Sequence, residues 1–304
     1  SHVAFAVSMV CFSLGSFFYL LATSRTTDIV ISNDPLPALL ATVTPAALVY
    51  EVHDYPERWH VLYRAMFCRA KLVIATNAWK KEALGRDFPT AASVFHLERN
   101  GVDLAAFGKE RDIAESRKTL SLTDGVPLVV YTGHLYGWKG VNTLLEAATR
   151  MPEVRFYLVG GTPKDVDEHR NQYASYDNIT FVGHVPHEVV PLWQAAADVL
   201  VLPNTAKEEI VARYTSPMKL FEYMASGRPM VASRLPAITE VVDETMVYLF
   251  TADDASDLTR AINNVLVNPD AAYLRANAAR AHAQAFSWTE RAARLSRVAP
   301  FTNL

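Results

Sequence analysis

A single carboxylate, Glu222, interrupts SPMKLFEYMASGRPMVAS (216–233), a stretch otherwise patterned for burial. At 3.6 residues per turn Met218, Leu220, Phe221, Met224 and Ala225 supply a broad apolar face, Pro217 suits a first helical position and Gly227 a terminus. Thr215 or Ser216 can cap this helix and leave its first amides facing a ligand. A carboxylate one to two turns into such a helix can accept two hydrogen bonds from a ribose diol, although a lone helical glutamate is more commonly a solvated one. In YTGHLYGWKGVNTLLEAA (131–148) a strand ending at Thr132 runs through Gly133, His134, Gly137 and Lys139 into a helix starting near Gly140. Glycines admit close backbone approach, helix-start amides favour anions and Lys139 adds a mobile charge, so the segment suits a phosphate; an ordinary strand-to-helix turn shares the pattern. In VYEVHDYP (49–56), His53 and Asp54 follow a strand, where such a pair can hydrogen-bond hydroxyls or move a proton, or serve as a capped loop.

These residues need a scaffold that brings strand ends together. From residue 28, apolar strands alternate with helical patterns: DIVISN then PLPALLATV, ALVYEVHD then PERWHVLYRAMF, KLVIATN then AWKKEALG. A charged, strand-poor stretch, KERDIAESRKTLSLTDG, follows, and the alternation restarts with VPLVVYTG and runs through VRFYLVGG, NITFVG and DVLVLPN. Such alternation predicts parallel sheets with crossover helices, and in a doubly wound sheet ligands sit at the carboxyl ends of the strands. The boundary falls near residues 105–125, giving a first domain over 1–110, a second over 111–285, and a terminal helix over 286–304 that packs back on the first. From Asp254 onward the chain reads as helical.

The 304 residues, half of them apolar, suit two domains better than one. Lys and Arg total 29 against 32 Asp and Glu with no long run of like charge, so nothing points to nucleic acid. Cys11 and Cys68 are far apart without a CxxC or His-rich motif, which argues against a disulfide framework or structural zinc and fits a reducing, cytoplasmic compartment. No acidic cluster suits a metal. Residues 3–22 are uncharged and as long as a membrane span, and read as a buried helix, a membrane-contacting helix or a processed signal.

The ordered set NGVD (100–103), GHLYGWKG (133–140), ITFVGHVP (179–186), DVLVLPN (198–204) and SPMKLFEYMASGRPMVAS (216–233) resembles the retaining glycosyltransferases of family 4 over about residues 25–300. The resemblance implies an α/β GT-B fold, two Rossmann-like domains facing across a cleft, with a nucleoside diphosphate sugar, of UDP or GDP, held by the second. It implies that Glu222 binds the donor ribose, that Lys139 neutralises the diphosphate with Gly133 and His134 beside it, and that Ser216, Pro217, Met218, Lys219 and Leu220 face the donor through their backbone. His184 and Val185 would meet the base through main-chain groups, and His53 the transferred sugar. No metal or other cofactor is required, and the acceptor is a hydroxyl of a glycan, a lipid-linked sugar or a small molecule.

Three departures from the family pattern stand out. Tyr214 replaces the first glutamate of a paired motif, and His134 an arginine, leaving Arg213 or Lys219 to help Lys139 balance the diphosphate. Judged against ordinary domain sizes, roughly 80 residues of the first domain are expected before the present start, so that domain reads as incomplete. Residues 3–22 then become an internal crossover helix whose exposed face favours a partner chain or the inner face of a membrane. The alternatives are a non-catalytic or partner-dependent nucleotide-sugar-binding protein and, less favoured, a sugar-nucleotide epimerase.

Overall fold

The computed structural model describes residues 2–122 and 125–301. They form two compact units, one of residues up to Arg99 together with those from Arg291 on, the other of Asn100–Glu290.

The first unit holds a four-stranded parallel sheet in the order β1 (Ile29–Ser32), β2 (Ala47–Val52), β3 (Leu72–Ala75), β4 (Phe95–Leu97). Because side chains alternate along a strand, Leu48, Tyr50 and Val52 of β2 face one core and Val49 the other. The first core is aromatic: Phe67 packs edge-on to Phe88 and Phe95 at centroid distances of 5.0 and 5.5 Å, with Tyr50 at 6.1 Å. On the other face Val49, Leu72 and Ile74 meet Leu295, Val298 and Phe301 of the returning chain.

Helix His2–Thr23 packs against helix Pro35–Ala41, whose Ala38 and Ala41 are buried, and its own Ser13 is buried. Leu20 joins the aromatic core. Phe12, Phe18 and Tyr19 nevertheless remain more than 60% exposed, so the expectation of a buried helix holds for one narrow side only. Among the described residues no helix is long and apolar enough to cross a membrane.

The second unit is a six-stranded parallel sheet, with β5 (Leu128–Thr132), β6 (Arg155–Val159), β7 (Ile179–Gly183), β8 (Val199–Leu202), β9 (Met230–Ser233) and β10 (Tyr248–Phe250) in the order β10-β9-β8-β5-β6-β7. The chain runs outward from β5 through β6 and β7, then returns to β5's other side with β8. This reversal leaves a switch point between β5 and β8, where doubly wound sheets bind ligands. Strands buried on both faces explain the near-continuous apolar runs LVVYT and VLVL. Tyr131, Leu144, Leu158 and Val201 contribute to one core, while Val130, Leu202, Leu220, Phe221 and Met224 contribute to the other.

Helices Ala255–Val267, Pro269–Ala283 and Trp288–Leu295 bear out the helical reading of the tail up to Leu295. Residues 100–110 pack in the second unit: Val102 bridges to Ser287, and Phe107 is buried in the Leu220 core.

Candidate functional site

A cavity of about 410 Å³ opens at the carboxyl ends of β5, β6 and β7 and is lined by Gly133, His134, Gly160, Gly161, His184, Val185, His187, Lys219 and Glu222, among others. Its floor is main chain. Gly133 (φ 132°), Gly160 (φ 121°) and Gly161 (φ 88°) all occupy backbone conformations that favour glycine. A Cβ on Gly160 would lie 2.4 Å from the carbonyl oxygen of Gly133, so the loops after β5 and β6 touch with no room for a side chain.

One wall is helix Met218–Ser226. Its apolar face, Leu220, Phe221, Met224 and Ala225, is buried in the core, and Gly227 ends it in a left-handed conformation (φ 68°), as the sequence pattern predicts. The start differs from expectation. Pro217 is the N-cap residue itself, no side chain caps the helix, and the Thr215 hydroxyl donates to Val211 O at 2.7 Å. Asn100 Nδ2 donates to Ser216 O at 3.1 Å, which ties the NGVD segment to this helix start within the unit.

Glu222 reaches the cavity from this helix. Gln194 Nε2 donates to its Oε2 at 3.4 Å, and Gln194 is itself fully buried. Burial pushes the Glu222 pKa up, against the opposing pull of His187, Lys219 and the Gln194 bond. Tyr223 faces inward on the same helix, accepting a hydrogen bond from the backbone N of Thr132 at 2.9 Å and sharing another with the Thr132 hydroxyl at 3.1 Å.

Lys219 contributes more than backbone. Its stem is half-buried, but Nζ is shielded from solvent and has no hydrogen-bond partner among the described residues; it lies 4.0 Å over the Tyr131 ring. A Cβ on Gly133 would come within 2.7 Å of that nitrogen. Burial first, then repulsion from Lys139, holds the Lys219 pKa well below the usual lysine range, with Glu222 acting in the opposite sense.

Lys139 is near enough to repel Lys219 but does not line the cavity: its Nζ sits 3.8 Å over the Trp138 ring, and burial pushes its pKa down to about 8. The loop that carries it is an aromatic stack, His134 on Tyr136 at 4.9 Å and Tyr136 on Trp138 at 5.9 Å. Gly140 ends the loop at φ 74°, where a Cβ would fall 1.7 Å from Pro203 O after β8.

The structure therefore gathers Gly133, His134, His184, Val185, Lys219 and Glu222 around one cavity. Leu220 turns its side chain into the core, Pro217 is buried, and Met218 is exposed. Tyr214 lies half-buried in the π-helical turn Ile210–Tyr214. Among the described residues no group of three or more His, Cys, Asp or Glu could hold a metal ion.

His53 belongs to the first unit, at the carboxyl end of β2. Its ring Nε2 is 3.2 Å from Glu51 Oε1, and Glu51 Oε2 accepts from Arg291 Nη2 at 2.8 Å. Burial raises the Glu51 pKa, but the bonds from His53 and Arg291 outweigh it and hold the carboxyl below its usual range. Beneath the same strand end lies Lys80, 1% exposed, whose Nζ donates to Val52 O (2.9 Å), His53 O (2.6 Å) and Thr76 Oγ1 (3.0 Å). Sequence reasoning missed Glu51, Lys80 and Gln194. The sequence signals for the first two were weak: a carboxylate two residues before His53, on its own strand, and a lysine one turn after a strand.

Residues 126–268 match the family model described as Glycosyl transferases group 1. Over 239 residues the chain is 25% identical to sulfoquinovosyl transferase SQD2 of Arabidopsis thaliana, covering 76% of this chain and 44% of that one. Over 276 residues it is 24% identical to a D-inositol 3-phosphate glycosyltransferase of Corynebacterium urealyticum, covering 85% and 63%. The chain thus spans about half the length of the curated relatives it matches. Among solved structures, Anabaena HepE in complex with UDP-glucose superposes with a TM-score of 0.71 at 25% identity, covering 88% of this chain and 78% of that one. The fold is GT-B.

Proposed function

With residues 126–268 a glycosyl transferases group 1 domain, we propose that the chain is a retaining glycosyltransferase that moves a hexose from a nucleoside diphosphate sugar to a hydroxyl acceptor. The observation that carries the reading is the Lys219 side-chain nitrogen, shielded from solvent and without a hydrogen-bond partner among the described residues, in the same cavity as Glu222. A buried lysine nitrogen with no acceptor is costly, and a bound diphosphate would supply acceptors and draw a proton onto it.

Each residue then has a role. Glu222, held by Gln194, accepts from the ribose diol. Lys219 and Lys139, with His134 and the helix-start amides at Met218 and Lys219, stabilise the diphosphate as it departs, which is electrostatic catalysis aimed at developing charge. The main chain at His184 and Val185 meets the base, and His53 meets the sugar. Attack comes on the face that the leaving group vacates. The UDP-glucose bound by HepE favours a UDP sugar as donor. The acceptor is a glycan, a lipid-linked sugar or a small molecule, and the exposed apolar side of helix His2–Thr23 supports peripheral contact with the inner face of a membrane or with a partner chain.

Calorimetric titration with UDP, GDP, ADP and dTDP tests the reading. Selective binding of one nucleotide, lost in Lys219→Met and in Glu222→Ala, is the expected result. Equal binding by the wild type and both variants would remove these residues from the site.

A further inference from the structure

The ionised carboxylate of Glu51 can only accept hydrogen bonds, so it stabilises a proton on the ring nitrogen nearest it. That nitrogen is Nε2 of His53, 3.2 Å away. A half-exposed histidine ring ordinarily samples both neutral tautomers and turns about its side-chain bonds, but Glu51 is itself fixed. Its second oxygen takes the Arg291 guanidinium at 2.8 Å, and Arg291 Nε donates to Arg99 O at 2.9 Å. Both side chains of this ion pair are nearly buried, 15% exposed for Glu51 and 12% for Arg291, against 49% for His53. Lys80 fixes the backbone of the same residue through the His53 carbonyl. Ring and backbone are thus held from two directions, and Nδ1 has no partner among the described residues.

We propose that Glu51 and Arg291 are positioning residues for His53: they hold a ring proton on Nε2 and present Nδ1, as a hydrogen-bond acceptor, to a hydroxyl of the transferred sugar. The inference rests on the reading of His53 given above. It adds which nitrogen acts and in which sense: Nδ1 accepts from a sugar hydroxyl. Arg291 lies on the terminal helix Trp288–Leu295, so the last helix of the chain sets the chemistry of a loop near its beginning.

The test uses the full chain labelled with 15N-histidine, its ring tautomers read from long-range proton–nitrogen spectra at pH 8, with His53→Gln assigning the signal. The wild type should show His53 as a single Nε2–H tautomer. Replacing the pair together, Glu51→Leu with Arg291→Met, leaves no orphaned buried charge and should give a tautomer mixture in a protein of unchanged circular dichroism. If that protein does not fold, Glu51→Gln carries the measurement: Arg291 takes the amide oxygen, the NH2 donor then faces the ring, and the Nε2–H signal should be lost. An Nδ1–H ring in the wild type, or a ring still locked as Nε2–H in the folded variant, would overturn the proposal.

UDP-glucose hydrolysis adds the functional arm. The paired substitution should lower kcat by about 10-fold with KM for UDP-glucose little changed, and should add no further loss in a His53→Gln background. The same loss in that background would show a structural role only and overturn the positioning claim. His53→Gln hydrolysing at the wild-type rate while the tautomer lock is present would instead refute the catalytic reading of His53, which keeps the two failures apart.

Discussion

The phenol oxygen of Tyr223 accepts a hydrogen bond from the backbone nitrogen of Thr132 at 2.9 Å, so the helix bearing Glu222 is bonded to the strand that leads into Gly133. Both residues are buried. Tyr223→Phe would leave that amide without its partner and should lower stability by about 1–3 kcal/mol, the usual cost of an unsatisfied buried donor. Nucleotide affinity should fall with it, since two walls of one cavity lose their tie. Urea melts together with UDP titration of Tyr223→Phe check both; an unchanged midpoint would mean that the amide finds another acceptor.

Lys219 should take up a proton when an anion binds. Its pKa is held well below the lysine range by burial, with Lys139 repulsion adding to it, and a diphosphate beside Nζ raises it again. UDP binding measured near pH 8 in buffers of different ionisation enthalpy should therefore show net proton uptake. The uptake should shrink in Lys219→Met. A binding enthalpy independent of buffer would contradict the placement of charge beside Lys219.

Lys80 predicts a pH dependence of stability. Burial lowers its folded pKa to about 8 from an unfolded value of 10.5, so between these limits the unfolded chain binds more protons than the native one. Stability then rises with pH across that window, and the burial penalty is fully present below about pH 8. The stability of the wild type relative to Lys80→Met should increase from pH 8 toward pH 10, as read from denaturant midpoints of the two proteins in parallel. A constant difference would show that Lys80 titrates normally.

Gly140→Ala should be severe. The position combines φ 74° with a Cβ site 1.7 Å from the Pro203 carbonyl oxygen, a backbone atom that cannot swing aside. A loss of more than about 2 kcal/mol is expected, above the ordinary range for a surface change. At Gly137, where nothing lies within 4 Å of the Cβ site, alanine should be mild. Thermal melts of the two variants make the comparison, and equal melting temperatures would show that the Gly133–Gly140 loop moves freely away from Pro203.

Much of this was legible in the chain itself. Strand–helix alternation and buried runs such as VLVL gave the parallel sheets, and Glu222 stood out as a charge in an apolar helix. Other elements escaped: Met230–Ser233 mixes Ala and Ser with its apolar residues, Tyr248–Phe250 is three residues long, and pairing with β8 and then with each other defines them. Lys219 was read for its backbone and, with Arg213, as a cation to help Lys139, but not as the cavity's own buried nitrogen, because helical periodicity places a side chain on a face but does not say which loop closes over it. Lys80 sits beside Lys81 in a polar segment and has the local pattern of a solvated residue; its burial follows from long-range packing beneath the end of β2. For residues 3–22 hydropathy gave a helix but not its neighbour, and the buried Ser13 is among the least apolar residues of the segment.

The glycine floor of the cavity has an evolutionary corollary. Peptide groups at Gly133, Gly160 and Gly161 carry the same dipoles whatever codon changes occur elsewhere, and the crowding there penalises a larger residue at Gly160. Substitution can therefore retune the cavity mainly through its rim, at His134, His184 and His187, all exposed. Divergence among descendants of this sequence should concentrate in what the rim selects, while the portion of the ligand resting on the floor stays chemically constant.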